Sequence, residues 1–243
     1  MTGRTTGHVA RRTYDQQCAL AYALDVIGER WTLLIIRELL SGPQRYSAML
    51  DALPGIGSNL LAERLAFLVD RGLVVQSEPG RRTSGYELTE LGGSLRPAVL
   101  DLARFGLTYA ARERPAPGSV VTGAWAKLAI EAMVDERRAA DLAETYQFEV
   151  DDEVFHVAVD FGRVRTLAGP ATDPTLTVRT DATSFFKLGL RQLDPVEALV
   201  TGAVQATGSG PAVMRCLWLI GLAKDPPAGL ATPERESRAG THS

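Results

Sequence analysis

Apolar residues in the first hundred positions recur at steps of three and four, the period that predicts helices. Leu20, Ala23, Leu24 and Ile27 fall at that spacing within 15–27, and Trp31, Leu34, Ile35, Ile36 and Leu39 continue it over 31–40. Gly28 separates the two, and Ser41-Gly42-Pro43 ends the second, because proline cannot continue an α-helix. A short helix over 46–53 turns Met49 and Leu50 inward, and Pro54-Gly55-Ile56-Gly57 leads into another over 58–70. Ser58 is expected as its N-cap, with the hydroxyl taking a first-turn N–H, while Leu61, Leu65 and Leu68 form one core face. Gly72 follows as the expected left-handed C-cap residue. The period then shortens to two: 74–77 and 85–88 predict strands joined across 78–84. Thr89 is expected to cap a long helix, striped by Leu91, Leu95, Val99, Leu102 and Leu107, that runs to about 112.

Two short helices followed by strand, turn and strand make the layout of a winged helix-turn-helix. Opposite its core face, the 58–70 helix carries Ser58, Asn59, Ala62 and Glu63, small or polar groups able to lie against base edges in a major groove. Arg45, Tyr46 and Ser47 open the positioning helix, and Arg81, Arg82 and Thr83 occupy the wing tip, where two guanidinium groups can reach a phosphate or a minor groove. Arg64, the one basic residue inside the reader helix before its end, is expected to brace the fold. The stripe on the long helix predicts either a dimer seam or packing against the domain's own first helix. A dimer would set two readers about one DNA turn, roughly 34 Å, apart, on an inverted repeat.

A boundary follows at 114–119, Arg-Pro-Ala-Pro-Gly-Ser, where two prolines stiffen the chain and glycine releases it. Beyond it, 125–134 predicts a helix and 138–142 continues the helical region. Tyr146, Phe148 and Val150 then alternate, Asp151-Asp152-Glu153 turns, and Phe155, Val157 and Val159 alternate back as a hairpin. Strands are expected at 164–167, 175–180 and 204–207. Asp181 should cap a helix to Leu190, Pro195 should start a short one, and a markedly apolar helix through Val213, Met214, Leu217, Trp218 and Ile220 closes the domain. The fold class is therefore multidomain: a winged helix-turn-helix over 14–113, then an α+β domain with a five-stranded, antiparallel-rich sheet over 120–224. A basic arm (1–13) and a Pro-, Ala- and Gly-rich tail (225–243) are expected to be disordered.

Composition narrows the chemistry. The 243 residues are 45% apolar, enough for two cores, and the net charge is −3. Its distribution matters more: 1–114 holds 14 arginines against 12 carboxylates, whereas 115–243 holds 12 basic residues against 17. Only the first half suits phosphates. No apolar run approaches the roughly 20 residues that span a bilayer, and the N-terminus has no apolar signal segment, so a cytoplasmic protein without a membrane partner is expected. Cys18 and Cys216 form no C-x-x-C pair, and with only His8, His156 and His242, neither a metal site nor a cofactor is expected. No nucleophile elbow, H-E-x-x-H or phosphate loop occurs, which argues against an enzyme.

Gly28-Glu29-Arg30-Trp31-Thr32, Arg45-Tyr46-Ser47, Leu61-Ala62-Glu63-Arg64-Leu65 and the closing run Tyr86 to Gly92 together resemble the HxlR family of bacterial winged-helix regulators, over about 17–107. The resemblance implies a homodimeric transcription factor on promoter DNA, with Cys18 near the place where some members carry a redox-sensing thiol. No lysine stands beside Cys18 to acidify it. Residues 124–222, through TYQFEVDDEVFHVAVDFGRV, TLTVRTDATSFFKL and EALVTGAVQATGSGPAVMRCLWLI, are similar in pattern to the sterol carrier protein 2 fold. That similarity implies an apolar tunnel for a lipid-like guest; Trp125, Phe148, Phe155, Phe185, Phe186, Leu190, Met214, Leu217 and Trp218 are its candidate lining, with ordinary core as the alternative.

The combined expectation is a repressor on an inverted-repeat operator whose second domain senses an apolar small molecule. Two alternatives stand beside it: a constitutive DNA binder whose second domain serves dimerisation or protein docking, and a lipid carrier or enzyme.

Overall fold

The computed structural model of the chain describes residues 13–77, 85–111 and 120–230. The chain divides into two compact units, one ending at Val99 and one beginning at Leu100. The basic arm up to residue 12, the wing tip with Arg81, Arg82 and Thr83, the 114–119 linker and the tail from 231 lie outside the described residues.

The first unit runs α1 (Ala19–Ile27), α2 (Thr32–Leu40), β1 (Gln44–Arg45), α3 (Tyr46–Ala52), α4 (Ser58–Asp70), β2 (Val74–Gln76), β3 (Gly85–Leu88) and α5 (Glu90–Gly93). Helix α6 (Arg96–Ala110) begins in this unit and continues into the second. The strands form an antiparallel sheet in the order β1-β3-β2, with Gln44 opposite Tyr86 and Val74 opposite Leu88. Ile35, Ile36, Met49, Leu53, Leu61, Leu65 and Leu68 fill the core, each no more than 1% exposed. The helical spacing therefore located the core of α4 and most of α2, whereas Leu20, Leu24 and Leu34 are exposed and α1 buries Ala21 instead.

Four boundaries differ from the sequence reading. Helix α1 starts at Ala19 rather than near Asp15, because Asp15 is left-handed (φ 51°) and cannot continue a right-handed helix; Cys18 takes the N-cap. Gly57, not Ser58, is the N-cap of α4, and Ser58 is the first helical residue, so its hydroxyl does not cap. The helix expected from Thr89 to about 112 is two helices. Thr89 does cap α5, accepting from Gly92 N–H at 3.1 Å, but a continuous helix would place Pro97 in its interior, where proline has no N–H and its ring meets the carbonyl four residues back. Gly92 is pressed against the Leu73 carbonyl so closely that a Cβ would lie 2.1 Å from its oxygen. Strand β1 is the fourth difference; two residues give no readable alternation. Gly72 has the expected left-handed φ of 68°.

In the second unit a 3₁₀ turn (Gly123–Trp125) leads to α7 (Ala126–Met133), and another (Glu136–Ala139) leads to the sheet. Strands β4 (Ala143–Val150), β5 (Glu153–Asp160), β6 (Arg163–Ala168), β7 (Leu176–Thr180) and β8 (Val204–Gly208) stand in the order β6-β5-β4-β7-β8. The sheet is mixed: β4 and β7 are parallel and the other pairs antiparallel. Helices α8 (Ala182–Gly189), α9 (Pro195–Thr201) and α10 (Gly210–Leu219) start at Asp181, Asp194 and Ser209, whose side chains accept first-turn N–H groups. Tyr146, Phe148, Val150, Phe155, Val157, Val159 and Leu176 project to one buried face, and Ala126, Ile130, Phe185, Ala212 and Cys216 pack onto it. Leu230, within the expected tail, also packs against this cluster.

Candidate nucleic-acid interface and apolar cavity

Helix α4 has two faces. Leu61, Leu65 and Leu68 are buried, while Ser58, Asn59, Ala62 and Glu63 are all exposed on the other side, together with Ala66. Ala66 completes this face and was missed by the sequence reading, although its spacing of i+3 and i+4 from Glu63 and Ala62 would have found it. The first turn is fastened by Tyr46, whose hydroxyl donates to the Ser58 carbonyl at 2.6 Å. Tyr46 is half-buried, whereas Arg45 and Ser47 beside it are exposed. Arg64 turns away from the exposed face and donates to Glu29 at 3.4 Å, a bracing contact between α4 and the segment before α2.

The turn that delivers α4 is shaped by two residues. Gly55 needs its positive φ of 93°, and the Trp31 ring lies against it, 3.6 Å from where a Cβ would be. Trp31 itself is left-handed (φ 79°), a conformation that a bulky residue holds only where its surroundings impose it. Arg30 sits over the Trp31 ring at 5.3 Å. On the neighbouring strand, burial and then Tyr46 raise the Tyr86 hydroxyl above its ordinary pKa.

Cys18 is exposed at the start of α1. The open first-turn N–H groups of Ala21 and then Leu20 hold its thiol below the ordinary range. Sequence reading sought a neighbouring lysine as the acidifying group; the helix start supplies the effect instead. Cys216 is the opposite case: burial, and then Glu144, push it up to about 12.

The second unit contains an apolar cavity of about 60 Å³. Its wall comes from the sheet (Phe148, Leu176, Val178, Val204), from α8 (Phe185, Leu188), from α9 (Leu199) and from α10 (Val213, Leu217, Ile220). Thr180 also lines it, but its hydroxyl donates to the Ala203 carbonyl at 2.8 Å, so it offers the cavity no spare donor. Of the residues named from sequence, Phe148, Phe185 and Leu217 line the cavity; Trp125, Phe155, Phe186, Leu190, Met214 and Trp218 do not. Phe155 stacks on Phe148 at 5.3 Å, and Phe186 meets Phe185 edge-on. Trp218 is buried under Arg138, 3.9 Å from its ring centre, while Met214 faces outward. Period alone cannot separate core from cavity wall, since both lie on the inward face.

Beside the cavity, Arg215 and Tyr146 both bond Glu144, Arg215 through Nε at 2.9 Å. This ties α10 to β4, and burial followed by the Glu144 contact raises the Tyr146 phenol far above its ordinary pKa. Among the described residues, no group of three or more His, Cys, Asp or Glu side chains is placed to hold a metal ion, and no helix is long and apolar enough to cross a membrane.

Comparison with known proteins agrees with both halves of this geometry. The HxlR-like helix-turn-helix family matches residues 26–114, and the SCP-2 sterol transfer family matches 126–216. An uncharacterized HTH-type transcriptional regulator of Synechocystis is 30% identical over 111 residues, 44% of this chain and 76% of that protein. One from Mycobacterium tuberculosis is 39% identical over 99 residues, 39% of this chain and 61% of that protein. The crystal structure of quinone-bound YodB from Bacillus subtilis is 30% identical, covers 36% of this chain and 93% of that one, and has a TM-score of 0.33. The HxlR-like match spans α4 and its exposed face, and the chain belongs to the HxlR-like family of helix-turn-helix transcriptional regulators.

Proposed function

We propose that the protein is a homodimeric repressor that reads an inverted-repeat operator through α4 and releases it when an apolar small molecule occupies the second unit. The observation that carries the DNA-binding part is the division of α4: a fully buried leucine stripe fixes the helix, and an exposed face of small and polar residues is left for base edges. Ser58, Asn59, Ala62 and Glu63 read bases. Arg45, Ser47 and the wing residues Arg81, Arg82 and Thr83 hold phosphates, and Tyr46 sets the angle of the reader.

Dimerisation is supported by exposed apolar side chains on helices. Leu20, Tyr22 and Leu24 are exposed on α1; Leu102, Phe105 and Tyr109 are exposed along one side of α6, with the two rings stacked at 6.1 Å. The carbon-lined cavity supports an apolar effector. For such a guest to act, it must bind one state of the dimer more tightly, and a coupling of about 1–3 kcal/mol is ordinary for such systems. The cavity's small volume favours the second reading, in which DNA binding is constitutive and the second unit serves assembly or docking. Cys18, exposed and acidified, is the residue we assign to thiol sensing.

Operator affinity measured with and without added apolar ligands separates the two readings. Ligand-dependent release supports the sensor. Ligand binding that leaves operator affinity unchanged leaves the constitutive regulator.

A further inference from the structure

The segment between α1 and α2 meets the reader helix at two points. Glu29 accepts from Arg64, part-way along α4, at 3.4 Å. The Trp31 ring lies against Gly55, in the turn that leads into α4, 3.6 Å from where a Cβ would be. Arg30 stands between Glu29 and Trp31 in the chain, is exposed, and holds its guanidinium over the Trp31 ring, 5.3 Å from the ring centre. This places the cation beside the turn that delivers Ser58 and Asn59, the first exposed residues of α4.

Arg30 differs from several arginines around it. Arg37, Arg64 and Arg71 pair with Glu38, Glu29 and Asp70. Among the described residues no carboxylate lies within ion-pair distance of Arg30, and its acidic neighbour in the chain, Glu29, is taken by Arg64. Its contact is instead the indole face of Trp31. Stacking uses the flat face of a guanidinium, so it restricts the side chain while leaving the in-plane N–H donors open. The platform is itself strained: Trp31 is left-handed, with φ 79°, a region that bulky residues rarely enter and that gathers where function requires a particular geometry.

We propose that Arg30, mounted on Trp31, binds a DNA phosphate beside the bases that α4 faces. A guanidinium with open in-plane donors grips a phosphate through two parallel hydrogen bonds, and stacking on the indole holds it ready to do so. Such a contact carries no sequence information; it fixes where the reader helix stands on the duplex. The proposal rests on the reading of α4 as the DNA reader, and adds an anchoring point to those at the positioning helix and the wing.

The test is fluorescence anisotropy of the full chain on a labelled random-sequence duplex of about 30 base pairs, long enough for two half-sites one turn apart, at several salt concentrations. A phosphate contact forms on any sequence, so no operator is needed. Arg30→Ala should weaken binding about tenfold, as for a charge-assisted contact, and flatten the plot of log affinity against log salt by about 0.9 for each copy of Arg30 that engages a phosphate. Arg30→Lys should keep the slope because it keeps the charge, and bind more weakly than wild type because an ammonium group has no flat fork to stack and pair. Arg163→Ala, which removes an exposed arginine from the second unit, should leave the slope unchanged. Urea midpoints of all three variants should match wild type. A wild-type slope in Arg30→Ala, equal flattening by Arg163→Ala, or weaker binding matched by a lower urea midpoint would overturn the phosphate contact while leaving α4 as the reader. Failure of wild type to bind the duplex would overturn both.

Discussion

The hydroxyl of Tyr46 donates to the Ser58 carbonyl across 2.6 Å, linking the first residue of α3 to the first residue of α4. One hydrogen bond thereby fixes the angle at which the exposed face of α4 begins. Tyr46→Phe keeps the ring and removes the tie. A loss of about 1 kcal/mol in folding stability is expected from one hydrogen bond, with a larger proportional loss of operator affinity. Urea denaturation and fluorescence anisotropy on labelled operator measure the two; unchanged affinity would mean that the tie does not aim the helix.

The core face of α4 should be far less tolerant than its outer face. Leu65 is 1% exposed, and Leu65→Ala is expected to cost about 2–5 kcal/mol through lost burial and a residual cavity. Ala66 is exposed, and Ala66→Ser should stay within about 0.5 kcal/mol of wild type. Thermal or urea unfolding of the two variants gives the comparison; similar losses would contradict the orientation of the helix.

Salt dependence isolates the wing. Arg81→Ala with Arg82→Ala should weaken binding to all duplexes alike and flatten the plot of log affinity against log salt by about 0.9 for each phosphate no longer neutralised. An unchanged slope would remove the wing from the interface.

The two thiols should separate cleanly. Cys18 is exposed and held below its ordinary pKa, so more of it is thiolate near neutral pH; Cys216 is buried and pushed up to about 12. Iodoacetamide at pH 7.5, read by peptide mass spectrometry, should label Cys18 in the native protein and Cys216 only after unfolding. Comparable rates would contradict both assignments.

Asp135 gives a pH dependence with a defined sign. The Arg137 side chain is the main cause that holds the Asp135 carboxyl below its ordinary value, so the folded protein favours the ionised form. Its stabilising contribution is therefore full above about pH 4, where the unfolded chain is also ionised, and is lost as the pH falls through the lower folded value. Urea midpoints of wild type and Asp135→Asn should differ above pH 4 and converge below it.

Much of the fold was legible because its signals are local. The leucines of α4, the Gly72 turn, the Asp181 cap and the alternation of the Tyr146–Val159 hairpin each follow from a few neighbouring residues. Two of the departures are local, and the rest depend on contacts between distant segments. Gly57 rather than Ser58 caps α4, and Pro97 breaks the expected long helix although the apolar stripe runs straight through it. Strand β1 exists only because β3 pairs with it. In the second unit, aromatic residues marked the inward face but not the cavity: Trp218 and Phe155 are inward and packed, while smaller residues such as Val178, Leu199 and Val213 form the wall.

The most direct measurement is the affinity of the full chain for its operator and for a scrambled duplex of equal length, with Asn59→Ala beside wild type at two salt concentrations. Wild type should prefer the operator. Asn59→Ala should lose most of that preference, on the order of 1–3 kcal/mol for a good base contact, while its salt slope stays the same. If Asn59→Ala and the companion variants Ser58→Ala and Glu63→Ala all keep the wild-type preference, α4 does not read the operator.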